Sequence, residues 1–265
     1  MKRLFLTAVT ASLLSSAFLI SVPAAQAEEA AYKLVLLRHG ESQWNLEKRF
    51  TGWSDIDLTD KGRAGAVKAG EKGAGVNFDE VHTSKLNRAI ETAQLAQKGM
   101  SAQWVPLQKF WRLNERCYGD LEGKKREDVA KEVGDDQVKI WRRSFDVPPP
   151  SLAVTDARSP VKDPRYADLD PRVIPASESL KDVIARVGPY WTDQLRPAIK
   201  SGKTVLVVGH STNLRALSAW IEPNLDEKAL QKLEIKNTKP ILYEFDKNMN
   251  VICRKVLEPS TVKKE

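Results

Sequence analysis

Two uncharged runs constrain this chain more than any other feature. Residues 34–40 read LVLLRHG and residues 205–211 read VLVVGHS. Each opens with four consecutive leucines or valines, enough for a strand and too few for a helix, without the polar alternation of a strand that has one wet face. Runs of this kind are strands buried on both faces, as in a parallel sheet held between two layers of helices.

Around these runs the chain alternates strand and helix patterns. Strands are predicted over 32–37, 78–82 and 204–208, with a closing pair over 240–245 and 251–254. Helices are predicted over 59–71, capped by Thr59, and over 85–98, 177–200 and 214–221. Between Leu107 and Ser177 lies a polar excursion with helical patterns over 124–133 and 136–144 and a proline-rich irregular piece over 147–175. The expected fold is therefore an α/β three-layer sandwich, its mostly parallel sheet flanked by helices. In such sheets ligands gather at the carboxyl ends of the strands, where both runs stop.

The N-terminus reads as a separate device. Lys2 and Arg3 precede an apolar run over 4–22 and then Pro23-Ala24-Ala25-Gln26-Ala27, the layout of a secretory signal cleaved after Ala27. An uncleaved anchor is the alternative, and without a used signal the protein would stay cytoplasmic. Residues 28–265 are expected to form one catalytic domain with a lid-like insertion at about 124–175, exported to the periplasm or medium and not stably inserted in a membrane. The formal charge of +7 falls to about +5 without Lys2 and Arg3. With no long basic run, a small anionic substrate fits this mild excess better than nucleic acid does. Two cysteines, Cys117 and Cys253, make no disulfide framework.

Histidine is scarce: the chain has three, His39, His82 and His210. His39 and His210 follow the two buried runs in the same way, so one parallel sheet would deliver both to one edge. No common zinc spacing accompanies them, and no metal is expected. A neutral imidazole can instead attack phosphorus and hold the phosphoryl group. Arginine forks and a second histidine would stabilise the transferring oxygens, and a carboxyl would serve as acid and base.

The segments LVLLRHGESQWNLEKRFTGWSDIDLTDKG (34–62), HTSKLNRAIETA (82–93), WRLNERCYGDLEG (111–123), QVKIWRRSFDVPPP (137–150), DPRYADL (163–169) and ILYEFD (241–246) resemble the cofactor-dependent phosphoglycerate mutases of the histidine phosphatase superfamily. The resemblance implies that His39 is the phosphorylated nucleophile, surrounded by Arg38, Asn45, Arg88 and His210. It makes Glu115 the general acid and base. Thr51 and Gly52 would meet the substrate, as would Tyr118, Arg126, Arg142, Arg143, Thr212 and Asn213. It further implies a small phosphorylated three-carbon acid as substrate, 2,3-bisphosphoglycerate as primer, and a homodimer or homotetramer.

The sequence departs from that pattern in four places. His210-Ser211-Thr212-Asn213 replaces the usual His-Gly-Asn-Ser, Arg126 replaces a lysine, and Cys117 stands where a histidine is common. The C-terminal residues RKVLEPSTVKKE differ from the alanine- and lysine-rich tail that covers the mutase site. A less covered site would let water compete for the phosphohistidine. Three readings therefore stand: a mutase interconverting 2- and 3-phosphoglycerate, an exported phosphatase acting on phosphomonoesters through the same intermediate, and a non-catalytic binding protein.

Overall fold

The computed structural model describes residues 30–258, so the signal reading and the last residues of the tail lie outside the described residues. Strand β1 (Tyr32–Arg38) leads through the short helix α1 (Gln43–Leu46) to α2 (Asp60–Gly73), β2 (Glu80–Thr83), α3 (Asn87–Gly99) and β3 (Leu107–Lys109). The excursion holds α4 (Arg126–Val133) and α5 (Asp135–Arg143). Then come α6 (Leu180–Tyr190), α7 (Arg196–Lys200), β4 (Val205–Gly209), α8 (Ser211–Ile221), α9 (Glu227–Lys232), β5 (Ile241–Phe245) and β6 (Val251–Val256). The sheet order is β3-β2-β4-β1-β5-β6. The first four strands are parallel, and β5 and β6 close one side antiparallel.

Strand pleating explains why the two apolar runs needed no polar face. Leu34 and Leu36 of β1, with Val205 and Val207 of β4, pack on one side against Val183 and Val187 of α6 and Leu214 and Leu217 of α8. Val35, Leu37, Leu206 and Val208 pack on the other against Ala69 of α2 and Ala93 and Ala96 of α3. The parallel register sets Leu37 beside Val208 and Arg38 beside Gly209. The next residue on each strand is a histidine, so both leave the sheet at the same edge.

Three differences from the sequence reading have local causes. The long helix expected over 177–200 begins at α6, capped by Ser179, and runs on into α7 through a π-helical turn at Trp191–Leu195. Pro197 has no N–H to return to the carbonyl four residues back, which removes a rung of the helix at that turn. Helix α8 begins at Ser211, directly after His210, rather than at Leu214. Within the proline-rich piece, which is otherwise irregular as expected, 3₁₀ turns at Pro160–Lys162, Pro164–Tyr166 and Pro171–Val173 each start on a proline.

The excursion is tied down at both ends. Phe50, Leu121, Val129 and Val138 form a small core beneath α4 and α5. The N–H of Asp120 donates to Pro150 O at 2.9 Å, and that of Leu152 to Ala176 O at 3.0 Å. Both cysteines are free thiols; Cys117 is buried, which pushes its thiol pKa up.

Candidate active site

The strand ends build the site. His39 follows β1, its N–H donating to Gly209 O of β4 at 2.9 Å. Asn237 Nδ2 donates to His39 O at 2.6 Å, and the Gly40 N–H to Thr92 Oγ1 at 3.0 Å, so the turn is pinned from both sides. A Cβ at Gly40 would lie 2.4 Å from Gly62 O, where α2 begins, which is why glycine follows the histidine.

The His39 ring is fixed as well as placed. Its Nδ1 sits 2.6 Å from Gly40 O, and a carbonyl only accepts, so Nδ1 carries the proton and Nε2 carries the lone pair. Burial, then the neighbouring Arg88 and Arg38 charges, hold the imidazolium well below the ordinary histidine range, so His39 is neutral and nucleophilic at neutral pH. The His210 ring lies behind it with centroids 5.0 Å apart, and burial with the same arginines depresses its pKa too.

A cavity of ≈ 230 Å³ opens onto His39. Of the residues expected from sequence, Arg38, His39, Asn45, Thr51, Gly52, Arg88, Glu115, Tyr118, Arg126, Arg142, Arg143 and Thr212 all line it. His210 does not line the cavity but backs onto His39. Asn213 is placed differently from the expectation of a substrate contact. It is buried, and its Oδ1 accepts from the His210 N–H at the start of α8, so its side chain braces the histidine's backbone.

Lining residues the sequence reading missed are Arg116, Ser211, Arg215 and Glu234. Arg116 was visible in LNER beside Glu115. Arg215 follows Ser211 by one helical turn and becomes a candidate only once α8 starts at Ser211.

Main-chain groups and buried cations hold the acid and the anion sites. Glu115 Oε1 accepts the N–H of Arg116 at 2.8 Å and of Thr212 at 3.1 Å, the latter a free donor in the first turn of α8. Glu115 O accepts from Trp53 Nε1 at 2.6 Å and from Arg186 Nη2 at 3.2 Å. Arg186 in turn forms a buried bidentate pair with Glu178, at 2.6 and 2.9 Å. Arg88 donates to Gly52 O at 2.8 Å and Ser54 O at 2.9 Å, and burial pushes its pKa down to about 10. Gly52 takes φ +54°, and a Cβ there would fall 1.9 Å from Glu122 Oε1, so the loop over the pocket needs glycine.

Charge balance is the strongest signal in the site. Arginines 49, 63, 158, 165, 172, 186 and 254 each pair with a carboxylate. The seven arginines of the cavity form no salt bridge among the described residues, and Arg38, Arg88, Arg116 and Arg126 each keep a buried Nε without a partner there. Desolvated cations left uncompensated are costly unless a ligand supplies the anion. Burial pushes the Arg215 pKa down to about 10, with Arg143 and Arg116 adding to the effect.

A bare imidazole nitrogen facing this much unbalanced positive charge suits an enzyme of phosphoryl transfer or phosphoester hydrolysis. Residues 34–256 match the profile of the histidine phosphatase superfamily (branch 1), and the chain belongs to that superfamily. Among solved structures it is similar to YhfR of Bacillus stearothermophilus, at 26% identity and TM-score 0.62 over 87% of this chain and 98% of that one. It is also similar to the α-ribazole phosphatase of Shigella flexneri, at 21% identity and TM-score 0.64 over 88% and 100%. A phosphoglycerate mutase from Bacillus anthracis matches at 23% identity and TM-score 0.59 over 87% and 92%.

Proposed function

We propose that the protein is a 2,3-bisphosphoglycerate-dependent phosphoglycerate mutase, interconverting 2- and 3-phosphoglycerate through a phosphohistidine at His39. The division of the cavity arginines into two groups carries this reading. Arg38 and Arg88 are the charges that act on His39. Arg126, Arg143 and Arg116 act on Arg142, and Arg143 and Arg116 on Arg215, as a second cluster, which Arg126 joins to the first through its effect on Arg38. Hydrolysis of a simple monoester needs the first group alone. A substrate with a carboxylate or second phosphate at its far end needs both.

His39 Nε2 attacks phosphorus as the P–O ester bond breaks, and Glu115 gives its proton to the leaving oxygen. In the return step a hydroxyl of the bound acid attacks phosphorus, Glu115 takes that hydroxyl's proton, and the N–P bond breaks. Arg38 and Arg88 oppose the charge on the transferring oxygens. The unpartnered arginine nitrogens suit a bisphosphate primer, which supplies the phosphoryl group that charges His39. No metal has a part in this scheme.

Resemblance also supports a homodimer or homotetramer, and Ala25-Gln26-Ala27 supports export with a mature N-terminus at Glu28. N-terminal sequencing that finds Met1 intact would contradict export. Export favours a second reading, hydrolysis of phosphomonoesters outside the cytoplasm, because phosphoglycerates are cytoplasmic metabolites.

The ratio of phosphate released to phosphoglycerate isomerised, with and without 2,3-bisphosphoglycerate, decides between the two. As a mutase, the protein isomerises predominantly. Arg142→Ala and Arg143→Ala raise the ratio, because less binding energy is left to exclude water. A protein that mainly hydrolyses, with a ratio indifferent to both arginines, would leave the phosphatase reading standing.

A further inference from the structure

Strand β2 is the third parallel strand to reach the catalytic edge. Its Thr83 lies in register with Val208 of β4, so the residue after it, Ser84, emerges beside His210. Ser84 is fully buried, and its Oγ lies 2.8 Å from His210 Nε2. The same Oγ accepts the Leu86 N–H at 3.2 Å. Among the described residues the hydroxyl proton has one acceptor within reach, His210 Nε2.

A buried hydroxyl whose proton finds no acceptor is costly, so the hydroxyl donates. Nε2 must then be the ring's unprotonated nitrogen, and the proton of the neutral imidazole sits on Nδ1. Nδ1 is buried at the N-cap of α8, on the side of the Asn213 N–H, and makes no hydrogen bond of full geometry among the described residues. His210 therefore holds an unused N–H donor on a ring whose centroid is 5.0 Å from that of His39.

We propose that Ser84 is a positioning residue that locks His210 in the Nδ1–H tautomer, giving the phosphoryl group on His39 a neutral hydrogen-bond donor. This rests on the phosphoryl chemistry assigned to His39. It resolves a conflict within the site. A second histidine is useful there only as a donor, yet burial beside Arg88, His39 and Arg38 suppresses its protonated form. Tautomer selection supplies the donor without a net charge. The bracing of the His210 N–H by Asn213 Oδ1 fixes the backbone, while Ser84 fixes the ring.

The test is ¹⁵N NMR of histidine-labelled protein at neutral pH, alone and with inorganic phosphate. His210 should show an unprotonated Nε2 and a protonated Nδ1, with the Nδ1 signal moving when phosphate binds. Ser84→Ala should release the ring to a mixture of tautomers. It should lower kcat about tenfold, with KM changed much less, since partners that orient a reacting group are typically worth 10- to 100-fold. A protonated Nε2 in the unmodified protein would overturn the proposal, as would a Ser84→Ala protein with unchanged tautomer and kcat. The NMR measurement needs no organic substrate. If the tautomer is as stated but no phosphoglycerate turns over, the mutase reading fails and this one survives.

Discussion

Mild acidification should destabilise this protein, and its histidines set the size of the effect. All three histidines in the chain are buried, and burial lowers each pKa from the ordinary 6.5, with His39 and His210 well below it. Below that value the unfolded chain takes up protons that the folded protein refuses. Stability is therefore complete above about pH 6.5 and falls as pH drops towards the folded pKa values. Each histidine contributes a slope of up to about 1.4 kcal/mol per pH unit, so three together set an upper limit of about 4 kcal/mol per unit below about pH 6.

His82 leaves this window first. Its ring bonds Tyr190 and lies 2.9 Å from Glu80 Oε2, which favours the proton, while Lys203 on the far side of Glu80 opposes it. Glu122 acts in the opposite sense: burial raises its carboxyl pKa, so it protonates more readily folded than unfolded and offsets part of the slope. For a domain of this size about 4 kcal/mol corresponds to a Tm shift of about 8–16 °C. Thermal melts from about pH 7 to 5 in a buffer free of phosphate would measure it; His210→Gln should remove at least about a third of the slope and His82→Asn a smaller share. A Tm flat across that range, or a slope unchanged in both variants, would refute the reasoning.

Three further outcomes are expected. Arg88→Gln removes the largest charge acting on His39 after burial, so the acid limb of kcat/KM should move to higher pH while activity falls at least about 100-fold; pH–rate profiles of the two proteins decide this. Arg186→Met strands Glu178 in the interior and should cost about 3–5 kcal/mol of stability, read by urea unfolding, with Glu178→Leu in the same chain restoring most of it. Dialysis against a chelator should leave turnover unchanged, and a loss restored by one divalent ion would contradict a scheme built on His39, Glu115 and arginine alone.

The outline of the fold was legible because its signals are local. Four Leu or Val residues in a row are buried on both faces in whatever sheet they join, and Arg38-His39-Gly40 marks where burial must end. That both runs belong to one parallel sheet then followed from alternating strands and helices, while their pairing as neighbours is set by the sheet order. Most of the cavity lining was legible as well, because it clusters in quoted segments. The π-helical turn lies between two prolines of the same helix, Pro189 and Pro197, a sequence signal that the continuous helical period on both sides masked.

What only the tertiary structure decided is pairing across long separations. Sequence could not tell the arginines that meet a carboxylate from the seven that converge on the cavity without one, because that depends on which loops converge. Nor could it separate Asn213, whose Oδ1 takes the His210 N–H, from Thr212, whose N–H holds Glu115. Ser84 and His210 are 126 residues apart and touch because β2 and β4 are neighbours in register. Local chemistry determines which residues form strands and helices. The order of the strands in the sheet determines which side chains share a buried edge, and there desolvation turns ordinary histidines and arginines into a reactive site.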